Sequence, residues 1–331
     1  MKLKRVIAAL LLLLFAFGAV ACNAEKEPED TEVATEEPSE TKKKGNQKKE
    51  TEPPVALANV EGLDLSIRIL SQNLCALDPN NENNVQARAE RFDALLKDVE
   101  PDIVGTQEAN TDTVNHMYKL DEYDFVGHSN WGTRAIAGEW NMILYKKDRF
   151  VLMDENTFWL SGDPNNPSLA EGAANARTCT WAELFDTYTG RTIIVLNTQL
   201  DYASESVRDN QVGIMIRNLG KDLGGRMFKC QMYLTCDLNA TEDDAAHTSI
   251  YDRAFIDTRD ITANDLSKGK GTYHVFGEIE NGMETSFIFH RGNDDVTSYE
   301  IIDKKYTAKG QTAPGYVSDH YGVLVTFKMA D

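Results

Sequence analysis

The sequence predicts an α/β fold in which two mixed β-sheets pack face to face and helices cover the outside. Two observations carry this expectation. Many short apolar runs with strand patterning are broken by only a few helical stretches. The chain has 331 residues, 41% hydrophobic and 26% charged, an ordinary globular composition that suits one large domain or two small ones. No internal repeat is visible.

The elements follow in order. "LSIRILSQNL" alternates like a strand. "VQARAERFDALLKDVEPD" places Phe92, Leu95, Leu96 and Val99 on one helical face, and Pro101 follows its end. "DIVGTQE" is a short apolar strand ending in polar groups. "WNMILYKKDRF", "TCTWAELFDTYTG" and "RTIIVLNTQL" read as strands, with "TYTG" the hairpin turn between the last two. "SESVRDNQVGIMIRNLGKDLGG" is a helix with Ile216, Leu219 and Leu223 in register and Ser204 as its cap. "KCQMYLTCDLN", "TSFIFHR" and "DHYGVLVTFK" supply further strands.

Several of these strands end in carboxylates, amides or histidine rather than in turn residues. Asn73, Glu108, Asn197 with Gln199, Asp237 with Asn239, and Asp319 with His320 stand at such ends. Brought together, they would form a cluster of hard oxygen donors with one imidazole. Such a set suits Mg²⁺, which binds one or two carboxylates and keeps waters for substrate phosphate. A metal so held polarises a phosphoryl oxygen and lowers the pKa of an attacking water.

The stretches "LSQN" (71–74), "PDIVGTQE" (101–108), "LNTQLD" (196–201), "LTCDLN" (234–239) and "SDH" (318–320) resemble, in their order, the motifs of the endonuclease/exonuclease/phosphatase superfamily, the deoxyribonuclease I-like fold. "TFWLSGDP" and "TCTWAELFDTYTGR" further resemble a bacterial extracellular branch of it. The resemblance covers nearly everything from about residue 64 onward. It implies a four-layer α/β sandwich with its site at one end of both sheets, and phosphoester hydrolysis with Mg²⁺ or Mn²⁺. It implies Glu108 as the main metal ligand with Asn73 and Asp319 nearby. Asp237 would orient or deprotonate water, helped by Asn239, and His320 would contact the phosphate. Asn197, Arg177 and His274 are candidates on the substrate side. Arg134 is, like Arg177, a candidate phosphate contact, with surface salt bridges the alternative for both; His116, His128 and His247 read as surface or packing residues, and the same reading is the alternative for His274.

Two departures from the family pattern matter. Gln199 stands where "NTHLD" has histidine, and Ser286 stands where "IDYIF" has aspartate. Gln199 is either a ligand-facing catalytic-site residue that donates a hydrogen bond to a phosphate oxygen or an inert replacement, and in both cases it carries no proton or charge. Without an aspartate at 286, His320 lacks an anionic partner that would favour its charged form. The expected activity is a weakened or specialised metal-dependent phosphoesterase. The alternative is a degenerate member that binds a ligand or partner without turnover.

Outside the domain, Lys2, Lys4 and Arg5 precede the apolar run "VIAALLLLLFAF", and "GAVAC" follows. This is a signal peptide with a lipobox-like ending, so Cys22 is the expected lipidation site and the membrane its partner. Residues 1–22 form that leader, 23–62 a charged disordered tether, and 63–331 the folded domain. A lipid-anchored, extracytoplasmic monomer at the bacterial envelope is expected. Cys75, Cys179, Cys230 and Cys236 allow two disulfides in three connectivities, although Cys230 and Cys236 cannot pair within one straight strand; buried free thiols are the favoured reading. The net charge of -19 argues against tight duplex DNA binding, which rests on clustered Lys and Arg, and favours small phosphoesters.

Overall fold

In the computed structural model, residues 54–132, 137–280 and 282–330 are described. The leader, Cys22, Arg134 and the tether up to residue 53 lie outside them. Residues Glu52–Asp331 form one compact unit. The last stretch of the expected tether already touches it, since Leu57 N–H donates to the Thr187 carbonyl at 2.8 Å.

Two six-stranded mixed sheets form the centre. The first has the order β11 (Asp295–Ile302), β12 (Gly322–Lys328), β1 (Ile67–Asn73), β2 (Ile103–Ala109), β4 (Trp140–Lys146), β3 (Tyr123–Val126). The second has the order β5 (Phe150–Trp159), β6 (Thr178–Asp186), β7 (Arg191–Gln199), β8 (Gln231–Asp237), β10 (Ser286–Arg291), β9 (Ile256–Asp257). Helices α1 (Val85–Val99) and α2 (Thr111–Met117) accompany the first sheet. Helices α3 (Glu205–Leu223) and α4 (Ala245–Tyr251) accompany the second, and a short α5 (Thr258–Ile261) follows β9.

Three apolar layers explain the stack. Phe92, Leu95, Leu96 and Val99 of α1 pack on Leu70, Val104 and Leu144. Ile69, Ile143, Val195, Tyr233 and Val325 fill the space between the sheets. Leu196, Leu234 and Phe287 meet Met215, Leu219 and Leu223 of α3. This is the four-layer α/β sandwich expected. Ser204 caps α3 by accepting from Val207 N–H, as the sequence indicates. The strand read as "WNMILYKKDRF" stops at Lys146, and Phe150 already opens β5. Residues 147–149 make the turn. The edge strand β11 and the short helix α2 carry too little periodicity to be read from sequence. Cys75, Cys179, Cys230 and Cys236 are all free thiols.

The topology gathers the site. β1 and β2 are parallel, as are β7 and β8, so the four C-terminal ends emerge together. β12 and β10 run antiparallel to their neighbours and bring their N-terminal ends to the same side. Asn197 ties the two sheets below that edge. Its Nδ2 donates to the Thr106 and Met142 carbonyls at 2.7 and 2.8 Å. Its Oδ1 accepts from Gln107 Nε2 at 2.7 Å and from Thr235 Oγ1 at 3.0 Å. The sheets approach so closely here that a Cβ on Gly105 would lie 1.8 Å from Thr235 Oγ1, which is why glycine stands there.

Asn197 makes four hydrogen bonds in a dry interior, and removing them strands four buried partners. Asn197→Leu is therefore expected to destabilise the fold by about 3 kcal/mol or more, read as a lowered midpoint in urea unfolding.

Candidate active site

Four predicted residues form one closed arrangement across the two sheets. Asn73 Nδ2 donates to Glu108 Oε1 at 2.9 Å and to Asp237 Oδ2 at 2.8 Å. Gln199 Nε2 donates to the same two oxygens at 2.7 and 3.2 Å. One amide and one carboxylate come from each sheet. The orientation of both amides follows from chemistry, because carboxylates accept and never donate at neutral pH, while backbone N–H and guanidinium groups donate and never accept. The Asn73 oxygen faces Cys75 N–H at 2.8 Å, and the Gln199 oxygen accepts from Arg177 Nη1.

This geometry revises four expectations. Asn73 is a donor that joins the two carboxylates; its oxygen is turned to the Cys75 amide and not toward a metal. Asn197, offered as a substrate contact, is fully buried between the sheets with its amide committed to protein partners. Arg177, also offered as a substrate contact, is a buried residue that fixes Gln199. Its Nη1 lies 3.3 Å from Glu139 Oε2, and its Nε lies 3.7 Å from Asp201 Oδ2. Gln199 itself is 1% exposed and directs its donors at carboxylates, so it does not face a phosphate.

Glu108 sits at a β-bulge between Thr106 and Ala109 with φ of 55°. Cys75 and Asn239 also have positive φ, at 55° and 52°. Such left-handed conformations cost about 1–3 kcal/mol each in a non-glycine residue, and here they aim carboxylate and backbone donors into one place. Burial works against the Glu108 charge. Hydrogen bonds from Asn73, Ala76 N–H and Gln199, together with nearby His320, nevertheless hold its pKa below the ordinary value. The Ala76 amide lies 3.1 Å from Oε2. It is held by Arg88 of α1, which donates to the Cys75 and Leu77 carbonyls at 2.6 and 2.7 Å. Burial, with the charges of Asp319 and Glu108, pushes the Cys75 thiol up to about 12, so it is no nucleophile.

Asp237 and Asn239 stand together at the end of β8. Asp237 is fully buried, and its Oδ1 accepts from Asn239 N–H at 3.0 Å. Asn239 Nδ2 donates to the Leu200 carbonyl at 2.8 Å, which leaves its oxygen as an acceptor at a partly open position. Asp237 has Gln199 and Ser286 directly opposite on its two neighbouring strands, so the two departures from the family pattern flank it. The Ser286 hydroxyl is buried and has no partner among the described residues.

Asp319 and His320 arrive on the loop before β12. Burial and the charge of Glu108 raise Asp319, while His320 opposes the rise. His320 Nε2 lies 4.0 Å from Asp319 Oδ1, and its Nδ1 lies 3.5 Å from Thr285 Oγ1. The hydroxyl of Thr285 thus stands beside the imidazole where an aspartate on the next residue would have been the partner. His274 lies behind this loop, its N–H bonded to the Asp319 carbonyl at 2.9 Å and its ring stacked on Tyr321 at 3.8 Å. It is a packing residue, as one of the two sequence readings held. Its Nε2 is buried without a partner among the described residues.

Glu139 and Thr285 were missed from the sequence. Each stands next to a strand start, Glu139 before Trp140 and Thr285 before Ser286. A cleft of about 640 Å³ lined by Arg68, Asp102 and Arg149 among others opens at the opposite strand ends and carries none of this chemistry.

The donor set fits a divalent cation. Among the described residues no group of three or more His, Cys, Asp or Glu side chains is gathered as a cage. Mg²⁺ asks for one or two carboxylates and several waters. Glu108 and Asp319 supply them, and the burial and nearby Glu108 charge that raise Asp319 are what a bound cation would offset.

A search of protein-family models finds no match to the chain, and a search of curated proteins finds none either. Solved structures do match. An endonuclease/exonuclease/phosphatase from Bacteroides vulgatus is 28% identical, with 81% of this chain and 100% of that chain covered and a TM-score of 0.71. This likeness supports the endonuclease/exonuclease/phosphatase superfamily for the chain. A mannosyl-6-phosphatase from Bacteroides thetaiotaomicron is similar at 20% identity, covering 80% of this chain and 100% of that one, with a TM-score of 0.72. TDP2 from D. rerio, complexed with single strand DNA product, is similar at 16% identity, covering 80% and 100%, with a TM-score of 0.59. At these last two identities the likeness is one of fold, and the endonuclease/exonuclease/phosphatase fold is what all three share with this chain.

Burial lowers the His274 pKa from 6.5 to about 3. A base whose folded pKa is depressed binds fewer protons when folded, so its stability contribution is present above pH 6.5 and lost as pH falls toward 3. Acid unfolding of the native protein is expected to steepen in that window, and His274→Phe is expected to flatten it. Equal slopes for both proteins would contradict this.

Proposed function

We propose that this protein is a divalent-metal-dependent phosphoesterase that acts outside the cell on a small phosphoester. The observation that carries the reading is the pair Glu108 and Asp237, held by the shared amide donors Asn73 and Gln199 at the joint of both sheets. Glu108 and Asp319 would hold Mg²⁺ or Mn²⁺, which supplies Lewis-acid polarisation of the phosphoryl group. Superfamily membership and the phosphatase and phosphodiesterase neighbours support hydrolysis at the family level.

The chain's own residues divide the remaining tasks. Asp237 Oδ2 is fixed by two amides, and its Oδ1 accepts the Asn239 N–H while keeping a lone pair for a water proton. Asn239 presents its side-chain oxygen beside that position. His320, flanked by Thr285 and Asp319, donates toward developing negative charge on the phosphate, a contribution worth several kcal/mol in comparable sites. Gln199 orients Glu108 and Asp237 without itself titrating.

A second reading has its own observation. Ser286 leaves a buried hydroxyl unpartnered beside Asp237, and His320 lacks a carboxylate on β10, so a member that binds without turnover is the alternative. Anchoring through Cys22, the leader 1–22 and the tether 23–62 belong to the same proposal. In this proposal the enzyme works at the envelope surface, and the net charge of -19 favours small phosphoesters over duplex DNA.

The test is a panel of phosphomonoesters and phosphodiesters with Mg²⁺, Mn²⁺ or EDTA. Turnover should be metal-dependent and fall about 10³-fold or more in Glu108→Ala and Asp237→Ala. Turnover equal in wild type and both variants would exclude the catalytic reading. The paired change Gln199→His with Ser286→Asp should raise kcat by about 10²-fold, the usual size of an acid–base contribution.

A further inference from the structure

One aromatic residue outside the amide and carboxylate frame stands against the same centre. Tyr273 lies on the chain between α5 and β10, and its main chain is pinned from two sides. On one side it forms an isolated antiparallel bridge with His320, and Tyr321 N–H donates to the Thr272 carbonyl at 2.8 Å. On the other side Tyr273 N–H donates to the Met283 carbonyl at 3.0 Å. Thr272 Oγ1 accepts from the Thr285 and Ser286 N–H groups at 2.9 and 3.1 Å. The approach is close, since a Cβ on Gly282 would lie 1.6 Å from the Tyr273 carbonyl oxygen. The ring rests against the His320 imidazole with centroids 4.9 Å apart. The segments that lead into β10 and β12 therefore fix where this phenol stands.

The hydroxyl is the part that packing does not require, because a phenylalanine would lie on His320 in the same way. Tyr273 is partly buried, and its Oη makes no hydrogen bond among the described residues. Its surroundings are those of the site. Burial first, and then the charges of Asp319, Cys75, Glu108 and Asp237, raise its pKa above the ordinary 10.0, so the phenol is a donor at neutral pH. An O–H beside carboxylates ordinarily bonds one of them. This one bonds none, so a gap separates it from them, and a group that enters the gap must bring an acceptor. A phosphoryl group brings one on each of its oxygens. The need is particular to this chain. His320 has no carboxylate partner on β10, and its Nδ1 meets the Thr285 hydroxyl at 3.5 Å. A phenol beside it adds a donor that requires no protonation.

We infer that Tyr273 is a substrate-contacting residue whose phenol O–H, beside His320, donates to a phosphoryl oxygen of the phosphoester. The inference rests on the phosphoesterase reading for the cleavage, while the contact with phosphate is measured apart from turnover.

The experiment uses the full chain and Tyr273→Phe, which keeps the ring on His320 and removes only the hydroxyl. Calorimetry measures the binding of inorganic phosphate to each protein in the presence of Mg²⁺. The native protein should bind, and the variant should bind about 10-fold or more weakly, the size of one hydrogen bond to a charged acceptor. The urea midpoint and the Mn²⁺ affinity should be the same in both, which neither a packing role nor a metal-ligand role would give. Where the native chain turns over a phosphomonoester, kcat/KM should fall by a similar factor in the variant. Equal phosphate binding by the two proteins overturns the inference. So does a native protein that binds no phosphate, or a variant that loses phosphate and Mn²⁺ together. A native protein that binds phosphate through Tyr273 and hydrolyses nothing would sink the phosphoesterase reading and leave this contact standing.

Discussion

The site depends on two side-chain amides that each bridge the same two carboxylates. Asn73 and Gln199 come from different sheets, and so do Glu108 and Asp237. Each amide therefore bonds one carboxylate from its own sheet and one from the other. Two buried like charges this close would repel in a low-dielectric interior. Four amide N–H donors offset that repulsion. The arrangement works only if the sheets keep their register to within hydrogen-bond tolerance. Asn197 fixes that register a few residues below, and the absence of a side chain at Gly105 permits the approach.

Much of this was legible in the sequence. The strands ending at Asn73, Glu108, Gln199 and Asp237 could be read from alternation and from their polar ends. Their convergence could be expected from the order of the motifs. The roles were less legible, because a role depends on which atom of an amide faces which partner. Asn73 and Asn197 look alike in sequence, each the polar end of an apolar strand. One bridges the carboxylates and the other staples the sheets. The difference lies in pleat and depth. Asn197 stands two residues before the end of β7 and is enclosed, whereas Asn73 is the last residue of β1 and reaches the edge. Arg177 could not be placed at all, since its partners Glu139, Gln199 and Asp201 are distant in the chain. The turn at 147–149 was missed because "KKDRF" keeps aromatic and long side chains through a bend.

The substitution at position 199 has a physical rationale in this setting. Arg177 presses a permanent positive charge against the side chain of residue 199. A glutamine answers it with a carbonyl oxygen and passes its N–H groups to the carboxylates, at any pH. Position 286 has no such compensation. Its serine leaves a buried hydroxyl without a partner and leaves His320 to Thr285. The two departures from the family pattern are thus unequal: one is integrated into the hydrogen-bond frame, and the other is a gap beside Asp237.

The central claim is that Glu108, held by amides and flanked by Asp319, is the seat of a divalent cation. Mn²⁺ binding followed by electron paramagnetic resonance tests it without reference to any substrate. The account predicts one bound Mn²⁺ per chain in the native protein, lost in Glu108→Gln while the fold is retained, because the amide keeps the size of the side chain but removes its charge. Native protein that binds no Mn²⁺, or a Glu108→Gln variant that binds it equally well, would contradict the account.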